Sequence, residues 1–339
     1  MSTEPSREYA FEQTLRPLLG SATPVPAGFF VGSVENDTAG TGCTVIGCPE
    51  GASAGVAVRG GAPATRETDL LAPENTVKAI HAVMVSGGSA YGLDAASGAV
   101  RWLEEHSAGF ELAGHIVPIV CGASIFDLSL GDGSVRPDAA MGYAACEAGA
   151  EANERAIRCG NIGAGCGASV GKLFGEQSAM KAGLGAAGFE LEGLIVSALV
   201  VVNALGNIYD RFAGTWIAGP RNPQDPQRIV DPYEALSIVS PYPSAGHNTT
   251  IACVITNAAL EKPTMGRVAS MAHDGFARAI EPVHTSADGD AIFALACGSI
   301  SAPADIVGCF AALAVEHAIH VAIREAEAAY GLPANRDLR

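Results

Sequence analysis

At 339 residues, 48% hydrophobic and only 17% charged, the chain carries far more apolar material than a disordered protein retains, and so needs a large buried core. Its 36 acidic residues against 20 basic ones give a formal charge of −16. With no Lys/Arg cluster in the sequence to form the concentrated basic surface that grips phosphate backbones, nucleic acid and anionic membranes are poor partners.

In chain order, residues 1–27 are polar with Pro17, Pro24 and Pro26, and read as an N-terminal arm. The opening MSTEPSREYAFEQTLRP has no apolar h-region, so it does not read as a signal peptide. The best apolar run, Leu194 to Val202, falls short of the ~20 residues a spanning helix needs. Both readings place the chain in the cytoplasm, with no membrane partner. From Phe29 three short strands are expected, in FFVGSV, GCTVIGC and SAGVAVR, separated by turn residues. An apolar run over Ala79–Val85 leads through Gly87-Gly88 to Ser89. Ser89 is a candidate N-cap for a helix to His106 with Tyr91, Ala95, Val100 and Leu103 towards the packed side.

A second set of elements begins with the strand-like HIVPIVCG and a helix from about Pro137 to Ala150. The glycine-rich stretch CGNIGAGCGASVGK follows. Strands are expected over Lys181–Glu190 and Leu194–Asn203. Six prolines between Pro220 and Pro243 leave room only for a turn of helix near Glu234. Beyond them TTIACVITN is apolar on both faces and reads as a central strand. A helix is expected from Pro263 to Ile280, then a strand at AIFALACG. A long helix runs from Pro303 to Tyr330, with Ile306, Phe310, Leu313, His317 and Val321 at helical spacing. His317 and His320 read as packing or surface residues. The mixed order indicates an α+β or layered α/β fold with helices outside sheets.

Nine cysteines without a C-x-x-C motif argue against a disulfide framework or a zinc ribbon. They read as small buried hydrophobes, with Cys166 alone, in its glycine-rich loop, a candidate nucleophile. That loop, Gly160–Lys172, fails as a phosphate-binding loop because Cys166 stands at a required glycine and Leu173 follows the lysine. It is instead a backbone-exposing loop beside one lysine. No motif calls for a cofactor or a resident metal. Asp288 and Asp290 flank Gly289 in a turn that could hold a divalent cation, orient a cationic amine, or simply be solvated.

The most informative place is SAGHNTTI, where a flexible stretch ends and Thr249 and Thr250 open a buried strand. Breaking the bond between Asn248 and Thr249 would leave Thr249 with a hydroxyl and a free α-amine. Such an amine has a pKa of about 7.7–8.0 and can serve as general base for its own hydroxyl.

With these residues in view, the chain resembles the L-aminopeptidase/D-esterase (DmpA-type) family of self-cleaving N-terminal-nucleophile hydrolases. That family includes β-aminopeptidases and 6-aminohexanoate (nylon) oligomer hydrolases. The resemblance is carried, in order, by RGGAPATRETDLL (59–71), GGSAYGL (87–93), IFDLSLGDG (125–133), GAGCGASVGK (163–172), VVNALGNIYD (201–210), GHNTTIACVITNAAL (246–260) and HTSADGDAIFAL (284–295). It implies a four-layer αββα sandwich and self-cleavage between Asn248 and Thr249 into residues 1–248 and 249–339. By the same resemblance Thr249 is the nucleophile, Asn203 an oxyanion donor and Tyr91 an assisting residue, while Lys172, Asp288 and Asp290 hold Thr249 and its amine, as in the nylon-hydrolase branch. His247 finds no role. The expected partners are a small peptide or amide-oligomer substrate and further copies of the chain, as a tetramer of processed heterodimers. Two other readings stand beside this one: an acyltransferase of the ornithine acetyltransferase type, and a non-enzymatic metal- or ligand-binding module using Asp288 and Asp290.

Overall fold

Strands that are apolar on both faces must lie between two covering layers, and this chain has several of them. The computed structural model describes residues 16–152, 156–239 and 248–338. The segment 240–247, with Gly246 and His247, lies outside the described residues, as does most of the expected arm. In chain order the principal elements are β1 (Phe30–Asn36), β2 (Thr41–Val58), β3 (Ile80–Ser86), α1 (Ala95–Glu105), β4 (Val120–Ser124), α2 (Ala139–Glu151), β5 (Leu184–Leu191), β6 (Leu194–Asn203), α3 (Pro232–Ile238), β7 (Thr249–Ala258), α4 (Lys262–Ala279), β8 (Ala291–Ile300) and α5 (Ala304–Arg324).

Two sheets share the long strand β2. Its first half pairs with β1 and β3, and β3 continues in parallel to β4. Its second half pairs with β8, from which the order runs β7, β6, β5. GCTVIGC and SAGVAVR are therefore one strand, not two. The Pro49-Glu50-Gly51 segment, which reads as a turn in sequence, is the bend where β2 crosses from one sheet to the other, with a register shift between Gly47 and Ala52.

Side-chain alternation then sorts the layers. Along β7, Ile251, Cys253 and Ile255 enter a core shared with Ile46, Val83, Val85 and Cys121 of the other sheet. Ala252 and Val254 face the opposite way, into the core with α4 and α5. Cys43, Val45, Ala82 and Met84 pack on α1 and α2. The result is the four-layer αββα sandwich. Phe293 of β8 is fully buried between the sheets, and truncating it to alanine would cost about 3–5 kcal/mol.

Helix boundaries follow local chemistry. Asp138 caps α2 by accepting the Met141 N–H at 2.9 Å, and Asp231 caps α3 through the Tyr233 and Glu234 amides. α1 and α2 touch backbone to backbone: a Cβ on Gly98 would stand 1.9 Å from the Ala139 carbonyl oxygen. Ser89 is not the cap of α1. Its φ is +54° and it begins a 3-10 turn over Ser89–Asp94, so the helix starts at Ala95.

Other expectations shift. Lys181 belongs to a short separate pairing with Ser169, and β5 begins at Leu184. The last helix stops at Arg324 rather than Tyr330, because the tail folds back and the Arg336 guanidinium donates to the Arg324 and Glu325 carbonyls. Its buried face is Val307, Ala311, Ala314, Val315, Ala318 and Ala322, while Ile306 is exposed. The helical period holds: Val321, Ile319 and Ile323 are buried with these small residues, and Phe310 and Leu313 pack at the edge of the same core. α5 is long and apolar enough to cross a membrane, but that face is spent on the core. The described end of the arm is docked, with Leu18 and Leu19 pairing to the β5 edge.

Candidate active site

The site lies where β6 ends and β7 begins. Asn203, the last residue of β6, is the register partner of Thr249, the first of β7. One residue earlier, Asn248 bridges Asp288, so the turn before β8 runs alongside the expected cleavage point. Thr249 is only 4% exposed. Its hydroxyl donates to the carbonyl oxygen of Asn248. The same oxygen accepts the Gly289 N–H at 2.8 Å. Glycine is needed there, because a Cβ would stand 2.7 Å from the Thr249 hydroxyl oxygen. The carbonyl next to the Asn248–Thr249 bond thus has a hydroxyl and a backbone donor already placed on it.

Asn203 is orientated without ambiguity. Its Oδ1 accepts the Lys172 ammonium at 2.6 Å and the Ser169 N–H at 3.1 Å, which only an oxygen can do. Its Nδ2 donates to the Phe126 carbonyl at 3.0 Å and has a second hydrogen to offer. Lys172 is fixed by backbone pairing of residues 171 and 172 to the carbonyls of Gly206 and Leu205. Burial pushes its ammonium down to about 8, opposed by the carboxylates of Glu176, Asp288 and Asp127.

The two acids are held by donors. Asp288 accepts the Thr285 N–H at 3.0 Å, the Thr285 hydroxyl at 2.5 Å and the Leu205 N–H at 3.4 Å. Burial, and then the neighbouring Asp290 charge, raise it to about 6. Asp290 accepts the Thr250 N–H at 2.7 Å on one oxygen and meets His284 on the other. A cation would have to displace these donors, so the pair is built to accept hydrogen bonds. Among the described residues no group of three or more histidines, cysteines or acids is set to hold a metal.

Thr249, Asn248, Asn203, Lys172, Asp288 and Asp290 are therefore brought together. Tyr91 is not joined to them by any hydrogen bond among the described residues. It is 60% exposed, not on the packed side of a helix, with its ring 3.8 Å under the Arg136 guanidinium. Cys166 is buried and burial pushes its thiol up, the opposite of the exposed, low-pKa environment of a nucleophilic cysteine. All nine cysteines are free. His320 is buried against the Tyr209 carbonyl, and His317 stacks on Phe212.

Three contributors escaped sequence reasoning. The Gly289 amide has no side-chain signature. Asp127 ties the tyrosine-bearing turn to the site by accepting from the Gly88 N–H and the Thr41 hydroxyl, both at 2.7 Å. His284 lies inside the quoted stretch HTSADGD, where its spacing from Asp290 was the available signal.

The layered architecture is that of the N-terminal-nucleophile hydrolase fold. The chain belongs to peptidase family S58, whose model matches residues 25–336. An uncharacterized aminopeptidase of Mycobacterium leprae (strain TN) is 42% identical over 318 residues, covering 86% of this chain and 84% of that protein. A 6-aminohexanoate-oligomer endohydrolase of Agromyces sp. (strain KY5R) is 33% identical over 282 residues, covering 81% and 75%. Among solved structures, a Burkholderia sp. beta-aminopeptidase superposes with a TM-score of 0.65 at 22% identity, covering 92% of this chain and 88% of that one. The L-aminopeptidase D-Ala-esterase/amidase from Ochrobactrum anthropi also gives a TM-score of 0.65, at 19% identity, covering 91% and 86%. These two likenesses carry the fold.

Proposed function

We propose that the chain cuts itself between Asn248 and Thr249 and then hydrolyses small amides through a Thr249 acyl-enzyme. The observation that carries this reading is the pair of donors, the Thr249 hydroxyl and the Gly289 N–H, on the Asn248 carbonyl oxygen. In the first step Thr249 Oγ1 adds to the Asn248 carbonyl carbon, and Gly289 N–H steadies the oxyanion. The C–N bond breaks, its nitrogen takes the proton from the hydroxyl, and an ester remains. Water cleaves that ester, leaving the Asn248 carboxylate and a Thr249 with free amine and hydroxyl.

In turnover the amine takes the hydroxyl proton as Thr249 attacks a substrate carbonyl, and passes it to the leaving amine. The second Asn203 Nδ2 hydrogen serves the substrate oxyanion, a contribution typically worth about 10²–10³ in rate. Lys172 keeps Asn203 in the donating orientation. Peptide and ω- or β-amino acid amides are the proposed substrates, in line with the names of the relatives. The proposed assembly is a homo-oligomer of processed heterodimers.

Intact mass of the purified protein tests this: fragments 1–248 and 249–339 are expected, with Thr249→Ala uncut and inactive. A single uncut chain with full amidase activity refutes it.

A further inference from the structure

Behind the acidic turn runs a chain of hydrogen bonds whose proton count can be read from its far end. His273 Nε2 lies 2.9 Å from the Ala57 carbonyl, His273 Nδ1 lies 3.2 Å from His284 Nε2, and His284 Nδ1 lies 2.8 Å from Asp290 Oδ2. A carbonyl only accepts, so His273 Nε2 carries a proton. His273 is fully buried, and burial pushes it down to about 4. It is therefore neutral at neutral pH, and its Nδ1 is bare and must accept. His284 Nε2 then has to donate. A neutral His284 would have spent its one proton and would turn a bare Nδ1 towards a carboxylate oxygen, acceptor against acceptor. The contact at 2.8 Å needs a further proton.

That proton belongs on the histidine. Asp290 already accepts the Thr250 N–H at 2.7 Å and the His284 N–H at 3.2 Å, and N–H donors favour the carboxylate form. Resting on the Thr249 reading above, we propose that His284 is a positioning residue held as an imidazolium, which balances the charge of Asp290 beside the nucleophile. The acidic pair then presents one net negative charge to the Thr249 amine instead of two. Two unbalanced carboxylates would hold that amine as an ammonium and take away the base. His284 keeps it a base near neutral pH, and His273 supplies the acceptor that fixes the ring.

Among the described residues, the other groups facing His284 are few. From α4 comes His273, with the Phe276 ring 6.0 Å away as an apolar wall. Arg59, beyond the end of β2, acts on His273 electrostatically and donates its guanidinium to Ser270 of α4. From the same turn come Asp288 and Asp290. None of these supplies the missing proton to His284 Nδ1.

Two measurements test the inference. Imidazole nitrogen NMR of the wild-type protein at pH 7.5, assigned with His273→Gln, should show both His284 nitrogens protonated and His273 protonated at one. A His284 with one bare nitrogen overturns the proposal. In His284→Asn the amide nitrogen still donates to Asp290 but carries no charge. Its acidic kcat limb should move to higher pH by about one unit, and Asn248–Thr249 cleavage should be retained. An unmoved or lowered limb overturns the proposal while leaving the Thr249 reading intact. A wild-type chain never cut at that bond would sink the Thr249 reading instead, and the NMR result would still decide the charge of His284.

Discussion

The glycine-rich stretch that delivers Lys172 and the acidic turn that delivers Asp288 and Asp290 reach the same strand junction by opposite chemistry. The first holds cations with acceptors. Lys172 donates to Asn203 Oδ1, and the fully buried Lys181 donates to the carbonyls of Gly165, Ala168 and Ala182 at 3.2, 2.9 and 2.5 Å. The second holds anions with donors: the amides of Thr285, Leu205 and Thr250, the Thr285 hydroxyl and His284. Burial pushes each group towards neutrality, Lys172 down to about 8, Lys181 down to about 7 and Asp288 up to about 6. The site therefore changes charge between about pH 6 and pH 8, the window in which a free α-amine also titrates. A loop with spare carbonyls can bury a lysine, and a turn with spare amides can bury an acid. Buried charge here is held by acceptors around the lysines, side-chain for Lys172 and peptide for Lys181, and by donors around the acids.

The largest disturbance of that comparison comes from Asn203, where the cationic stretch meets the nucleophile's strand. Asn203→Ala removes the acceptor of the Lys172 ammonium and the oxyanion donor together, so kcat on an aminoacyl anilide should fall by at least about 10²–10³. Asn203→Asp separates the two effects. It keeps an acceptor for Lys172 but offers no N–H to the oxyanion and sets a carboxylate oxygen against the Phe126 carbonyl, so turnover should be lost and some thermal stability with it. Equal activity in Asn203→Asp and wild type would show that another donor serves the oxyanion.

The acidic side breaks more gently, and with a sign that can be worked out. Asp288 is raised in the folded state, so the fold holds its proton at a pH where the unfolded chain, near 3.8, has lost it. Its contribution is fully present below about pH 3.8 and is lost as the pH rises through about 6. Asp288→Asn removes this penalty and keeps one oxygen for the Thr285 donors. Melting curves should show the variant more stable than wild type at pH 8 by on the order of 1 kcal/mol. The advantage should vanish by pH 4. A variant destabilised equally at both pH values would mean that the acceptor matters more than the charge.

This asymmetry also explains what could be read from the sequence. Strand composition located β6 and β7, because Leu194–Asn203 and TTIACVITN are apolar on both faces whatever surrounds them. The Thr249 junction was legible because its chemistry depends on one residue and one bond. Lys172 stood out as the only lysine beside a backbone-exposing loop. The rest depends on partners distant in sequence. Lys181 looks like an ordinary strand residue until three carbonyls from its neighbours close on it. His284 acquires a charge only through His273 and the Ala57 carbonyl, both on other elements.

The smallest expected effect concerns Tyr91, the site residue that resemblance supplied and geometry left at the rim. Its ring lies under the Arg136 guanidinium at 3.8 Å, a contact of about 0.5–1 kcal/mol at an exposed position. Tyr91→Phe keeps that stack and deletes only the hydroxyl. One hydrogen bond to a bound substrate is worth about 0.5–1.5 kcal/mol, so kcat/KM should fall by less than about tenfold. Melting temperature and the extent of Asn248–Thr249 cleavage should not change. Tyr91→Ala should lose the stack as well, adding a small loss of stability. If Tyr91→Phe were instead as damaging as Asn203→Ala, the ring must leave Arg136 when substrate arrives. The phenol would then stand in line with Asn203 at the oxyanion, and the division into a cationic and an acidic side would need a third, mobile member.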